Sequence, residues 1–246
     1  MKIIISPAKK MMVDTDSLGY AGLPVYIKEA EEIGTYLRQS TLDELKKLWA
    51  CNDKIAELNY ERIQNLDLYS RLTPAILAYE GIQYQYMAPA VFEEQMLTYV
   101  QEHVRILSGF YGVLKPMDGI VPYRLEMQAK AKINGHRDLY DYWGRKLFDE
   151  VTDESHIILN LASREYSKCV ERYLEKEDQF VTCIFGELAK GKVVQKGTYA
   201  KMARGEMVRY MAEHQVTNLE EVKGFNRLDY TFSVELSTEQ EYVFLR

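Results

Sequence analysis

The chain has 246 residues, a formal net charge of −6, 47% hydrophobic and 28% charged residues. This composition excludes wholesale disorder and a collagen-like chain, and the acidic total excludes a uniformly basic nucleic-acid binder while leaving room for a local basic patch. No apolar run approaches the ~20 residues of a membrane span. Lys9 and Lys10 follow too soon after Ile3–Ile5 for a signal-peptide core, so a cytoplasmic protein with no membrane partner is expected.

Residues 2–5 are rich in isoleucine and end at Ser6-Pro7, which predicts a short buried strand and then a loop. Pro24 opens a helix to about residue 39. Thr41-Leu42-Asp43-Glu44 has the form of a capping box and starts a helix to about Ala50. A second helix, 53–66, follows at once. Helices are predicted at 74–87 and 89–103, then a strand at 104–108. Residues 109–127 carry Gly109, Gly112, Pro116, Gly119 and Pro122, too many breakers for a helix, and read as one long functional loop. A helix at 137–151, a strand at 156–161 and a Ser163-capped helix at 164–175 come next. Strands near 179–185 and 191–195, a helix at 198–214 and strands near 228–236 and 241–245 complete the chain. The expected architecture is α/β or α+β, a single domain over 1–246, with a mixed sheet and helices outside.

Five segments carry residues suited to chemistry. Ser6, Lys9 and Lys10 follow the first strand, at the sheet edge where open α/β sheets bind ligands. Ser6 and Lys9 also match S-x-x-K, but the S-D-N and K-T-G partners of that acyl-enzyme motif are missing. Lys115 and Arg124 can grip phosphate or carboxylate, while Asp118 and Glu126 can orient those cations or move protons, and Tyr123 lies in the same run. An ion network holding an irregular loop explains that run equally well. Asn160, Ser163 and Tyr166 flank a strand-to-helix junction whose first-turn amides suit an anion, although a plain serine cap is the simpler reading. Lys190 to Tyr210 holds six cations against Glu206 alone; Lys201 and Arg209 project from the solvent side of its helix, with Arg204 at the border. On the 53–66 helix, Asn59 and Arg62 fall inside the stripe made by Ile55, Leu58, Ile63 and Leu66, where polar groups must be paired or face a cleft.

Neither G-x-x-x-x-G-K-[ST] nor G-x-G-x-x-G occurs, and Cys51, Cys169 and Cys183 form no C-x-x-C pair. The four histidines are scattered as well, so no cofactor and no metal are expected.

Several runs together resemble the YaaA family of bacterial peroxide stress proteins. They are Ile5-Ser6-Pro7-Ala8-Lys9, Asp53 to Asn59 with Arg62, Gly109 to Asp118, and Pro122-Tyr123-Arg124-Leu125-Glu126-Met127. Tyr140 to Gly144, Asn160 to Ser163 with Glu165-Tyr166, and Ala203-Arg204-Gly205 with Met207 and Arg209 complete the set. The resemblance implies a cytoplasmic protein that protects DNA from peroxide damage and limits free iron. It implies binding of double-stranded or branched DNA through a cationic cleft and a helix-hairpin-helix-like element, for which residues 41–66 are the candidate. The turn Ala50-Cys51-Asn52 lacks the glycine such hairpins use to reach a phosphate. Lys9, Lys10, Lys115, Arg124, Lys201, Arg204 and Arg209 are the expected cleft cations. The alternative is an enzyme acting on a phosphorylated or nucleotide-like small molecule, suggested by the acids, amides and hydroxyls mixed with these cations.

Overall fold

Ile3, Ile4 and Ile5 are fully buried because the strand that carries them lies at the centre of a sheet covered on both faces. The computed structural model describes residues 1–246 throughout. Its strands are β1 (Lys2–Ile5), β2 (Lys10–Met11), β3 (Thr73–Pro74), β4 (Tyr79–Glu80), β5 (Val104–Ser108), β6 (Gly112–Leu114) and β7 (Gly119–Ile120), then β8 (Ile157–Leu161), β9 (Gln179–Ala189), β10 (Lys192–Val194), β11 (Thr231–Phe232) and β12 (Glu241–Leu245). Its helices are α1 (Ile27–Gln39), α2 (Leu42–Trp49), α3 (Asp53–Gln64), α4 (Ala75–Ala78), α5 (Ile82–Met87) and α6 (Glu94–His103), then α7 (Leu139–Trp143), α8 (Lys146–Val151), α9 (Arg164–Glu171), α10 (Gly197–His214) and α11 (Leu219–Val222).

The main sheet has eight strands in the order β11-β12-β9-β8-β1-β5-β6, with β10 hairpinned onto β9. The run β12-β9-β8-β1-β5 is parallel, while β6 and β11 are antiparallel. The fold is thus α/β with a mixed sheet, as the sequence implied. The chain leaves β1 for β5 on one side and later returns to β8 on the other. The loops after β1 and β8 therefore diverge from neighbouring strands, which is the switch point where such sheets hold ligands.

Several predicted elements are broken by tertiary pairing. Residues 74–87 are not one helix: Tyr79 and Glu80 leave it to pair with Met11 and Lys10, and Pro74 pairs with Gly119. The 137–151 segment divides at Gly144, whose φ of 52° and ψ of −136° suit glycine alone. The 109–127 loop is not one loop either. Gly112–Leu114 folds back along β5, so Leu114 sits opposite Ile106, and Lys115 emerges at the amino end of the sheet.

The capping box of α2 forms as read, with Thr41 and Glu44 bonded reciprocally. Ala50 ends that helix in the left-handed region, φ 46°, and Asn52 caps α3 through Ile55 N–H. In α3 the buried residues are Ala56, Asn59 and Ile63, whereas Leu58, expected on the buried stripe, is exposed.

Candidate functional site

A cavity of about 440 Å³ opens at the carboxyl ends of β1 and β8. The loop after β1 brings Ser6, Lys9 and Lys10 to it, and the start of α9 brings Ser163, Glu165 and Tyr166. The segment after β7 contributes Tyr123, Arg124 and Glu126, α5 contributes Gln83 and Tyr84, and α10 contributes Lys201 and Arg204.

Ser6 and Ser163 tie the two diverging loops together. Ser163 N–H donates to Ser6 Oγ at 2.8 Å, and the Ser6 hydroxyl donates to Ser163 Oγ at 3.3 Å. Ser163 stands at the N-cap of α9, yet its hydroxyl makes no cap bond. The plain-cap reading is therefore replaced by a cross-loop bond. The first-turn amides of α9 at Arg164 and Glu165 have no acceptor within their own helix, and the positive end of the helix faces the loop after β1.

Glu126 stands between two cations, with Lys9 Nζ at 3.0 Å and Arg124 Nη2 at 2.9 Å. Lys9 is 64% exposed, while Arg124 and Glu126 are largely sequestered. With its ammonium held against Glu126, Lys9 is not set to act as a base for Ser6. Lys10 pairs with Glu80 at the rim, at 3.1 Å.

Arg204 differs from these. It is half-buried and makes neither an ion pair nor a hydrogen bond within the chain, and its Nε is sealed without an acceptor. Burial without a carboxylate beside it lowers its pKa. Its position follows from the residue beside it. A Cβ at Gly205 would stand 2.1 Å from Gln83 O, so only glycine lets α10 lie this close to α5. That approach sets Arg204 over the cavity. Gln83, buried on the facing helix, also has an unpartnered Nε2. Unpaired buried donors are costly, and here they converge on one concavity.

Behind the cavity wall runs a chain of hydroxyls. Ser108 Oγ accepts from the N–H of Phe110 and Tyr111, so its own proton goes to Tyr123 at 2.6 Å. Tyr123 and Tyr79 share a hydrogen bond at 2.7 Å. Burial pushes the Tyr123 phenol up to about 12. Bonded to Ser108 and Tyr79, this phenol props the wall. Tyr84 donates to Ser6 O at 3.0 Å and fixes the loop from below. Burial holds the Tyr166 phenol well above its ordinary value.

The expected cleft is thus gathered only in part. Ser6, Lys9, Lys10, Tyr123, Arg124, Glu126, Ser163, Tyr166, Lys201 and Arg204 share one cavity. Lys115 and Asp118 do not: they line a pocket of about 80 Å³ with Arg105 and Glu150. There Asp118 is a turn anchor that accepts from Lys115 N–H at 2.8 Å, and burial raises its pKa to about 6. Asn160 lies beneath the crevice, accepting from Ala162 N–H at 2.9 Å and donating to Thr182 Oγ1 at 3.2 Å. Arg209 is paired with Glu213 at 2.8 Å on the far side of α10, and Lys196 with Glu187 at 2.7 Å. The basic run 190–210 therefore has acidic partners that lie outside it in sequence. Arg62 lines a separate cavity. Glu80, Gln83 and Tyr84 were missed because the helix expected at 74–87 hid them; Gly81 inside that run was the available signal.

The fold is thus an open, largely parallel α/β sheet with a ligand-sized crevice at its switch point, the place where such sheets hold ligands. The chain belongs to the peroxide stress protein YaaA family, whose pattern matches residues 1–236. It is 59% identical over 246 residues to a UPF0246 protein of Agathobacter rectalis, covering 100% of this chain and 99% of the relative. A UPF0246 protein of Pediococcus pentosaceus is 56% identical over 246 residues, covering 100% and 98%. One of Lactiplantibacillus plantarum is 46% identical over 245 residues, covering 100% and 99%. No helix is long and apolar enough to cross a membrane.

Proposed function

We propose that this peroxide stress protein works by binding a small phosphate-bearing ligand in the crevice between the ends of β1 and β8. The observation that supports this is Arg204, a half-buried guanidinium with no partner in the chain, facing a cavity of about 440 Å³. A cation held there without an anion is a cost that a bound anion removes. The amides at the start of α9 and the Ser6–Ser163 pair supply further polar contacts.

Charge counting supports a small ligand over a polyanion. Five cations and three carboxylates line the cavity, an excess of two positive charges: Lys9 and Arg124 share Glu126, Lys10 pairs with Glu80, and Arg204 and Lys201 form no ion pair. That excess suits one phosphate group. The volume falls in the range of about 300–1,000 Å³ common to small-molecule sites. A phosphorylated or nucleotide-like substrate fits the same pocket, with Glu126 and Glu165 as the carboxylates available for proton transfer. A thermal-shift panel of nucleoside monophosphates and sugar phosphates tests this. Stabilisation that disappears in Arg204→Met is the expected result; uniform absence of a shift removes the reading.

A second reading rests on the rim. Lys9 and Lys10 are 64% and 77% exposed, and Lys201 is exposed beside them. On this reading they hold the phosphate backbone of double-stranded or branched DNA with little sequence preference and shield it from oxidation. The α2–α3 pair then acts as a helix-hairpin-helix-like flank, and any lowering of free iron is indirect. About three phosphate contacts give a log–log salt slope of about −3 on a duplex. Binding without a salt slope removes this reading.

A further inference from the structure

A second cavity, about 450 Å³ in volume, opens beside the first. Pro122 lines it, and the next residue, Tyr123, lines the first cavity. Its lining includes the aliphatic side chains of Leu58 and Val13, 49% and 44% exposed, with Pro122, and the cations Arg62 and Arg71, Arg62 one turn on from Leu58 along α3. Arg62 is half-buried, forms no ion pair, and its one side-chain hydrogen bond is to Asn59 Oδ1, at 3.4 Å. Capping α3 does not occupy it, because Arg38 already takes the carbonyls of Ile63 and Leu66. Burial with no charge beside it lowers its pKa. Arg71 is held in the left-handed region at φ 54°, in the loop that closes the cavity. Glu61 and Asp67 also line the rim, both exposed, with Asp67 turned to the Tyr69 N–H at 2.9 Å. Neither forms an ion pair with the arginines.

An unpaired guanidinium beside exposed aliphatic side chains needs two things at once: an anion and an apolar cover. We propose that this cavity binds a small organic anion with an apolar body. The anionic head lies on Arg62 and Arg71, and the ring or chain lies against Leu58, Val13 and Pro122. Inorganic phosphate satisfies only the first half of the site and a neutral hydrophobe only the second. The proposal is independent of the ligand in the first cavity.

Calorimetric titration of the full chain with benzoate, phenyl phosphate, benzyl alcohol and inorganic phosphate tests it. Benzoate and phenyl phosphate distinguish a carboxylate head from a phosphate head. The expected result is saturable binding of at least one of them at low millimolar concentration, with benzyl alcohol and inorganic phosphate about tenfold weaker. Arg62→Gln weakens that binding about tenfold and Leu58→Asn several-fold. Leu58 is exposed, so its variant keeps the fold and remains informative if Arg62→Gln does not. Arg204→Met leaves the Arg62-dependent part of that binding unchanged; any separate, Arg204-dependent binding of phenyl phosphate or inorganic phosphate belongs to the first cavity. Three results overturn the proposal: no saturable binding of either aromatic anion, equal binding of benzyl alcohol, or loss with Arg204→Met while Arg62→Gln and Leu58→Asn bind normally.

Discussion

Replacing Arg204 with methionine should make the unliganded protein more stable while removing its ligand site. Arg204 carries a sealed Nε with no acceptor and no counter-charge. An unsatisfied buried donor costs about 1–3 kcal/mol. The terminal nitrogens face the cavity and keep part of their hydration, which lowers the net figure. Methionine retains the packing of the aliphatic stem against α5 without the charge. The expected gain is about 1–2 kcal/mol, or about 2–8 °C in Tm for a chain of this size. Urea unfolding of ligand-free protein should show a raised midpoint with an unchanged m value. A loss of ~1 kcal/mol or more would mean that Arg204 holds the fold together, and the argument from an uncompensated cation would fail.

Other expectations follow from the same geometry. Gly205→Ala places a Cβ 2.1 Å from Gln83 O. It should cost about 1–3 kcal/mol by forcing α10 from α5, read as a Tm lower by several degrees. The Asp118 carboxyl, raised to about 6 by burial, stays protonated in the folded chain where the unfolded chain has already lost its proton. The folded state therefore binds more protons between about pH 4 and 6, and stability falls as pH rises through that window. Asp118→Asn keeps the acceptor for Lys115 N–H and should remove this slope. Relative to wild type it should gain up to about 3 kcal/mol from pH 4 to pH 7, measured by urea midpoints across pH. Glu126→Gln releases Lys9 and Arg124 from their shared carboxylate. It should tighten phosphate ligands about threefold to tenfold at low salt, measured by calorimetry; unchanged affinity would show that this carboxylate does not limit the charge of the crevice.

Local signals were the legible ones. The isoleucine run of β1, the Thr41 box and the strand-to-helix step at Asn160-Leu161-Ala162-Ser163 each carry their information within a few residues, and the switch-point crevice followed from two of them. What stayed hidden depends on partners distant in sequence. Tyr79 and Glu80 left the expected helix because Lys10 and Met11 lie alongside. Lys115 looked like a neighbour of Arg124, yet β6 carries it to the opposite end of the sheet before the chain returns. Charge pairing was equally non-local: Glu213 lies just beyond the basic run yet satisfies Arg209, and Glu187 lies before it and holds Lys196. The net charge of −6 therefore coexists with a crevice whose unpaired charge is positive.

Isothermal titration of nucleoside monophosphates into wild type and Arg204→Met, at fixed low salt, asks whether the unpaired guanidinium of the crevice holds the ligand. Saturable one-site binding to wild type and a loss of tenfold or more in the variant, about 1.4 kcal/mol at the least, are expected. Equal affinity for both proteins, with Arg204→Met properly folded, would contradict that role.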